Sequence, residues 1–343
     1  MKDNKKHKKA EYGILITGLI ILLAAACIIA LCAGQYSVSV PEVIKILASR
    51  FVNVTKTWSN TAEGVVFTLR LPRIIGAVLV GSALSLSGAA YQGVFKNPLV
   101  APDLLGVSSG ACVGASVAIL LHLNSFGVQA MAFVAGILAV GLTLFIPRLI
   151  KNTNMTMLVL SGIIVKGIMD SVMGIIKYVA DPETELQSIT YWQLGSLTKV
   201  LPKDLFTVGP VIVAASVIIF LLRWRINILS LGDREAKTLG VSVTVVRNFI
   251  IICATLLTAS AVCISGTIGW IGLVIPHFAR MLTGPDNMKV IPASILMGAI
   301  FMVVIDTLAR ALTSVELPLS ILTGIIGAPF YIIILARQRM KLS

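Results

Sequence analysis

Runs of apolar residues, each about one bilayer long, alternate with short polar breaks along most of this chain. Read against their Gly, Pro and charged punctuation, they predict spans near 13–33, 70–93, 103–121, 128–147, 156–179, 206–223, 244–263, 268–284, 290–309 and 317–336. A helix crossing a hydrocarbon core of roughly 30 Å needs about 20 apolar residues, so the pattern describes an all-α polytopic membrane protein with about ten transmembrane helices. Runs such as 103–121 carry Gly and Ser where a lone anchor would carry Leu, which predicts short or tilted helices. One integral membrane domain covers 1–343, with a basic tail at 1–12 and a charged interruption at 225–243.

The breaks have local causes. Lys96, Asn97 and Pro98 stop the second run, because proline lacks an amide donor and restricts the residue before it. Within 225–243, Gly232 and Gly240 bracket Asp233, Arg234, Glu235 and Lys237, the pattern of a short helix with a glycine break at each end. Shifting the sequence by about 178 positions lays Ser87 to Pro98 over Ser265 to Pro276, and Gly106 over Gly284. That is a weak internal repeat, of the kind duplicated transporter halves leave behind.

Composition narrows the class. At 57% hydrophobic and 13% charged, 343 residues hold more apolar surface than a soluble core of this size can bury. The net charge of +13 raises nucleic acid as a partner, but the basic residues are scattered over short loops, and positive-inside topology explains them more simply. With the N-terminus inside, most of the 28 Lys and Arg residues, and both chain termini, fall on the cytoplasmic side. Arg70, Arg73 and Arg310 lie on the outer side, against that trend. Ala24 to Ala26 before Cys27 suggest a cleavage or lipidation site, yet the run is longer than a signal peptide's apolar region and more spans follow, so an uncleaved first helix is expected. Cys27, Cys32, Cys112, Cys253 and Cys263 sit in apolar segments without metal-ligand spacing, and no metal site is expected.

Charges inside apolar runs are the candidate chemistry. Lys166, Asp170 and Lys177 fall in the fifth run, where an isolated charge costs about 3 kcal/mol. Lys166 and Asp170 are spaced i,i+4 and can pair along one helix face, either as a structural ion pair or as part of a polar path. Asp306 and Arg310 share that spacing, so Asp306 is placed to orient Arg310. The sequence holds no G-x-x-x-x-G-K-[ST], so ATP-driven work must come from another chain, and no H-E-x-x-H that would suggest an intramembrane metalloenzyme. An ion-coupled secondary transporter, with Lys166, Asp170 and Asp306 as coupling sites, is the alternative to an ATP-driven permease.

LRLPR at 69–73, SGAAYQGVFKNPLVAPDLLGVSSGA at 87–111, LGDREAKTLGV at 231–241, SGTIGWIGLVIPHFARML at 265–282 and ELPLSILTGIIGAPFYI at 316–332 resemble the membrane permeases of ABC importers for iron-siderophores, haem and vitamin B12. The similarity is weakest over the first 60 residues and near 180–205. It implies a permease of the bacterial cytoplasmic membrane that pairs with a second permease, the same or a related chain, two cytoplasmic ATPases that would bind ATP and Mg, and an external binding protein. It also implies roles. Asn97, Pro98 and Leu99, with Asn154, Met155 and Thr156 opposite, would form a cytoplasmic gate; Gly232, Asp233, Arg234, Glu235 and Gly240 would couple to the ATPase; Arg70, Arg73 and Arg310 would form an outward basic patch for the binding protein, with snorkelling to lipid phosphates as the plainer reading. Lys166 and Asp170 would stand beside the path. Ferric siderophore is the first expectation for cargo, then haem, then cobalamin.

Overall fold

The computed structural model describes residues 2–152, 154–313 and 315–339, with side chains described between residues 10 and 332. The helices in chain order are α1 (Lys2–Cys32), α2 (Val40–Ala48), α3 (Asn60–Gly64), α4 (Leu71–Phe95), α5 (Val107–Leu120), α6 (Ser125–Leu149), α7 (Met155–Val179), α8 (Glu185–Leu194), α9 (Pro202–Leu231), α10 (Asp233–Thr238), α11 (Val243–Ser265), α12 (Ile271–Thr283), α13 (Asn287–Ala311) and α14 (Leu319–Arg339). A π-helical turn, Val65–Arg70, runs into α4, and a 3-10 turn, Pro102–Leu105, precedes α5. Among the described residues, seven helices are long and apolar enough to cross a membrane, and shorter apolar helices at 107–120, 271–283 and 319–332 fill the remaining expected positions. The helix α9 extends to Leu231, so the polar interruption is shorter than the expected 225–243 and begins at Gly232.

The centre of the fold is α4, buried over nearly its whole length. Lipid tails offer helices no hydrophobic reason to associate, so close packing and interhelical hydrogen bonds do that work. Small residues let the backbones approach: a β-carbon on Gly81 would lie 2.2 Å from the Gly298 carbonyl oxygen of α13, and one on Gly88 would lie 1.8 Å from that of Gly272 in α12. Its hydroxyls find carbonyls on neighbours, Ser85 donating to Ser294 (2.8 Å) and Ser87 to Ala254 (2.9 Å), while the Tyr91 and Thr255 hydroxyls bond at 3.0 Å. The pairings Ser87 with Ala254 and Tyr91 with Ile251 make α4 and α11 antiparallel.

Two crossings are only half helical. At 1.5 Å per residue, α5 and α12 span about 20 Å, short of a bilayer core of roughly 30 Å. The balance is supplied by irregular backbone at 96–101, the 3-10 turn Pro102–Leu105 and irregular backbone at 266–270, and such chain persists at membrane depth only where protein or a water-filled path surrounds it. The two breaks meet, since a β-carbon on Gly272 would lie 2.4 Å from Cγ of Pro102. The internal repeat is therefore offset from the expected register. Ser87 sits in the middle of α4 while Ser265 ends α11, and Gly106 precedes α5 while Gly284 follows α12.

Candidate functional site

One end of the bundle gathers the end of α4, the start of α7, and α10. Lys96 adopts a left-handed conformation (φ 52°) and closes α4; Asn97 Oδ1 then accepts the Leu99 amide at 2.9 Å, a side-chain turn that leaves Asn97, Pro98 and Leu99 exposed. Asn154 caps α7, its Oδ1 accepting the Met157 amide at 2.8 Å, with Met155 and Thr156 following on the first turn. The two turns share this end, joined through the segment 100–106 that runs along α7.

Gly232 (φ 143°) and Gly240 (φ 76°) bracket α10 as the sequence predicts, and Arg234 and Glu235 are exposed on it. Asp233 is the joint. Its Oδ1 lies 2.7 Å from Arg247 of α11 and 3.3 Å from Lys96 at the end of α4. Burial alone would raise the Asp233 carboxyl, but the Arg247 hydrogen bond and charge, with those of Lys96, hold it below the usual range. A groove beside α10 is lined by Trp224, Leu231, Leu239 and Pro285, with Asp286 at its edge capping α13 and accepting from Asn227 at 2.6 Å.

At membrane depth, α7 turns a polar face outward. Lys166, Gly167, Asp170, Ser171 and Gly174 are exposed at helical spacing. The expected Lys166 to Asp170 pair is corrected: Lys166 Nζ bonds Asp103 Oδ2 at 3.0 Å, from the broken segment before α5. Spacing along one helix cannot reveal a partner 63 residues away. The nearest sequence signal for Asp103 is its place after the break, in the run Ala101-Pro102-Asp103.

At the opposite end Arg70, Arg73 and Arg310 come together, but not as an outward patch. They are 5%, 7% and 8% exposed. Arg73 Nε meets Asp306 Oδ1 at 2.8 Å and its Nη1 meets Glu316 Oε1 at 2.8 Å, while Glu316 Oε2 accepts the Thr198 hydroxyl at 2.5 Å. Arg310 pairs with Asp306 at 3.3 Å, as its i,i+4 spacing predicts, and donates to the carbonyls of Ala30 (3.1 Å) and Ala33 (3.3 Å). Arg70 donates to the Leu31 (2.6 Å), Cys32 (3.2 Å) and Tyr36 carbonyls at the end of α1. Gly34 (φ 145°) lets that chain wrap the guanidinium, since a β-carbon there would lie 2.7 Å from Arg70 Nη2. A buried guanidinium without partners is costly, so these arginines turn inward to the carboxylates and carbonyls that satisfy them. Glu316, on the loop before α14, is pushed up by burial but held below the usual carboxylate range by Arg73 and Thr198.

Comparison with known proteins fixes the class that this architecture defines. The FecCD transport family matches residues 22–337. The chain belongs to that family and is a multi-pass ABC transporter permease subunit, a transport protein rather than an enzyme. It is 37% identical to the molybdate import system permease protein MolB of Haemophilus influenzae over 94% of this chain and 95% of that one. It is 41% identical to a probable iron chelatin transport system permease protein of Helicobacter pylori over 80% of this chain and 83% of that one. A solved inward-facing structure, described as that of a metal-chelate type ABC transporter, superposes with a TM-score of 0.85 at 34% identity, covering 95% of this chain and 99% of that one.

Proposed function

We propose that this permease carries a metal chelate, with ferric siderophore the first candidate, across the bacterial cytoplasmic membrane, with both termini and α10 on the cytoplasmic side. Two such permease chains, identical or related, would enclose the path, and an external binding protein would deliver cargo at the arginine end. Two ATPase subunits, holding ATP and Mg, would press on α10. The observation that carries this reading is α10 itself: a helix between two glycine breaks, in a chain without a nucleotide-binding loop, tied through Asp233 to Lys96, the residue that caps α4. Movement of α10 then has a route to the turn at Asn97 to Leu99. Haem and cobalamin remain the competing chelates, and the molybdate permease relative adds an oxyanion to the same contest.

The test is reconstitution with the ATPase and binding protein. ATP-dependent uptake of a ferric siderophore, abolished when the ATPase is inactive and preferred over haem, cobalamin and molybdate, is the expected result. Uptake by the permease alone in a proton gradient would overturn it in favour of a secondary transporter. The gate assignment is tested in the same liposomes, where Asn97→Ala with Leu99→Ala is expected to leak cargo without ATP.

A further inference from the structure

We infer that Asp103 is a positioning residue of the transport path: with Lys166 it forms a charge latch that fastens the broken segment 96–106 to α7, and Asp170 is the second station for the Lys166 ammonium.

The pair stands where charge is costly. Lys166 is roughly 17 Å along α7 from its start, at 1.5 Å per residue. Its side chain is 47% exposed and that of Asp103 37% exposed. Half-exposed charges at this depth do not face lipid, so the pair looks onto water or a partner subunit.

Behind the pair, the seam between the broken segment and α7 is smooth. A β-carbon on Gly162 would lie 2.2 Å from the Leu104 carbonyl oxygen, and Gly106 (φ 80°) rests against Val165. Glycine brings the two backbones into close main-chain contact there. Among the described residues, the Lys166 to Asp103 bond is the hydrogen bond across that seam.

The grip is also incomplete. Asp103 Oδ1 is buried with no hydrogen-bond partner, so the carboxylate is held through one oxygen. Asp170 lies one turn further along α7, exposed on the same face and near enough for its charge to act on Lys166. Exchange of Lys166 from Asp103 to Asp170 therefore frees the segment without stranding the ammonium. The freed segment begins at the turn of Asn97 to Leu99, so release of the latch and opening of that turn are one movement.

The inference rests on the permease reading, because a latch needs a path to close. Its test uses the assembled permease pair in liposomes loaded with calcein, a dye that crosses only through an open path. Asp103→Asn is expected to raise the leak at least tenfold with an unchanged melting temperature, and Asp103→Glu to stay near wild type. The charge swap, Asp103→Lys with Lys166→Asp, is expected to restore most of the tightness. Lys166→Gln gives the same readout from the other side, should Asp103→Asn insert poorly. Liposomes carrying Asp103→Asn or Lys166→Gln that stay as tight as wild type, or a leak that the swap does not reduce, would overturn the latch. The assay needs no ATPase, binding protein or identified cargo. A latch that behaves as expected in a chain that shows no ATP-driven uptake would count against the permease reading alone.

Discussion

The two ends of the bundle handle charge in opposite ways. At the arginine end, three guanidiniums meet two carboxylates and several backbone carbonyls in a buried network that ties α1, α4, α13 and the loop before α14 together. At the α10 end, Asp233 bridges Lys96 and Arg247 with its own side chain 50% exposed, and further along α7 the half-exposed Lys166 holds Asp103 across a glycine seam. Low dielectric makes the first network rigid and expensive to break; water around the second makes each bond cheap to exchange. Fixed charge frames one end, and half-exposed charge joins the elements at the other.

The largest effect is expected from removing the acceptor at the centre of the frame. Asp306→Ala takes from Arg73 and Arg310 the buried carboxylate they share and is expected to cost about 3–5 kcal/mol. It should appear as a large drop in melting temperature in detergent. A variant melting within a degree of wild type would mean the arginine end is no frame. By the same logic Arg70→Glu with Arg73→Glu damages the fold before it reports on docking.

Next in size is the hinge of α10. Gly240 has φ 76° and open space around its α-carbon, so Gly240→Val suffers backbone strain of about 1–3 kcal/mol with no clash. The strain is local, so insertion is expected to be normal while ATP hydrolysis runs without uptake. Gly240→Asn, which tolerates the left-handed region, is expected to keep more coupling. Wild-type uptake by Gly240→Val would show that α10 does not transmit.

Asp233→Asn should sharpen the contrast further. Exposed pairs of this kind contribute about 0–1 kcal/mol, so the melting temperature is expected to hold while uptake per ATP falls. A melting loss as large as that of Asp306→Ala would erase the distinction between the ends.

How much of this could be read in the sequence follows the same divide. Apolar run lengths located the crossings, and Lys96 to Pro98, Gly232 and Gly240 marked real ends, because a helix stop is a local event. Gly and Ser in 103–121 predict a short helix there, as α5 is, but not where the helix breaks off, because hydropathy measures solvent preference rather than hydrogen bonding. The Gly-rich stretch from Gly266 to Gly269 was the available signal for the second break. Asp306 with Arg310 was legible from i,i+4 spacing, whereas Lys166 found Asp103 because tertiary packing brought a better partner than the neighbouring turn. The burial of Arg70 was hidden for a similar reason: its acceptors are main-chain carbonyls at 31–36, which carry no side-chain signature.

The smallest expected effect separates the ends by acid. Glu316 and Asp233 both lie outside the membrane-crossing helices, and partners hold both carboxyls below their usual range. A carboxyl depressed in the folded state binds fewer protons there than in the unfolded chain, so its contribution is complete above the unfolded pKa, about 4–4.5, and is lost as pH falls through the folded value. Between pH 8 and 5 the contribution of these two groups is therefore expected to be constant, and below about 4.5 it begins to be lost. Both side chains are partly exposed, 36% and 50%, so solvent screening keeps each share small, under about 1 kcal/mol. Glu316→Gln keeps the shape and removes the charge, and it should flatten part of the acid-limb decline in melting temperature. Asp233→Asn should leave that limb nearly unchanged, because opening α10 does not unfold the bundle. If instead Asp233→Asn flattens the limb as much as Glu316→Gln, the α10 end belongs to the frame and the exchange of charge proposed for it has no room to operate.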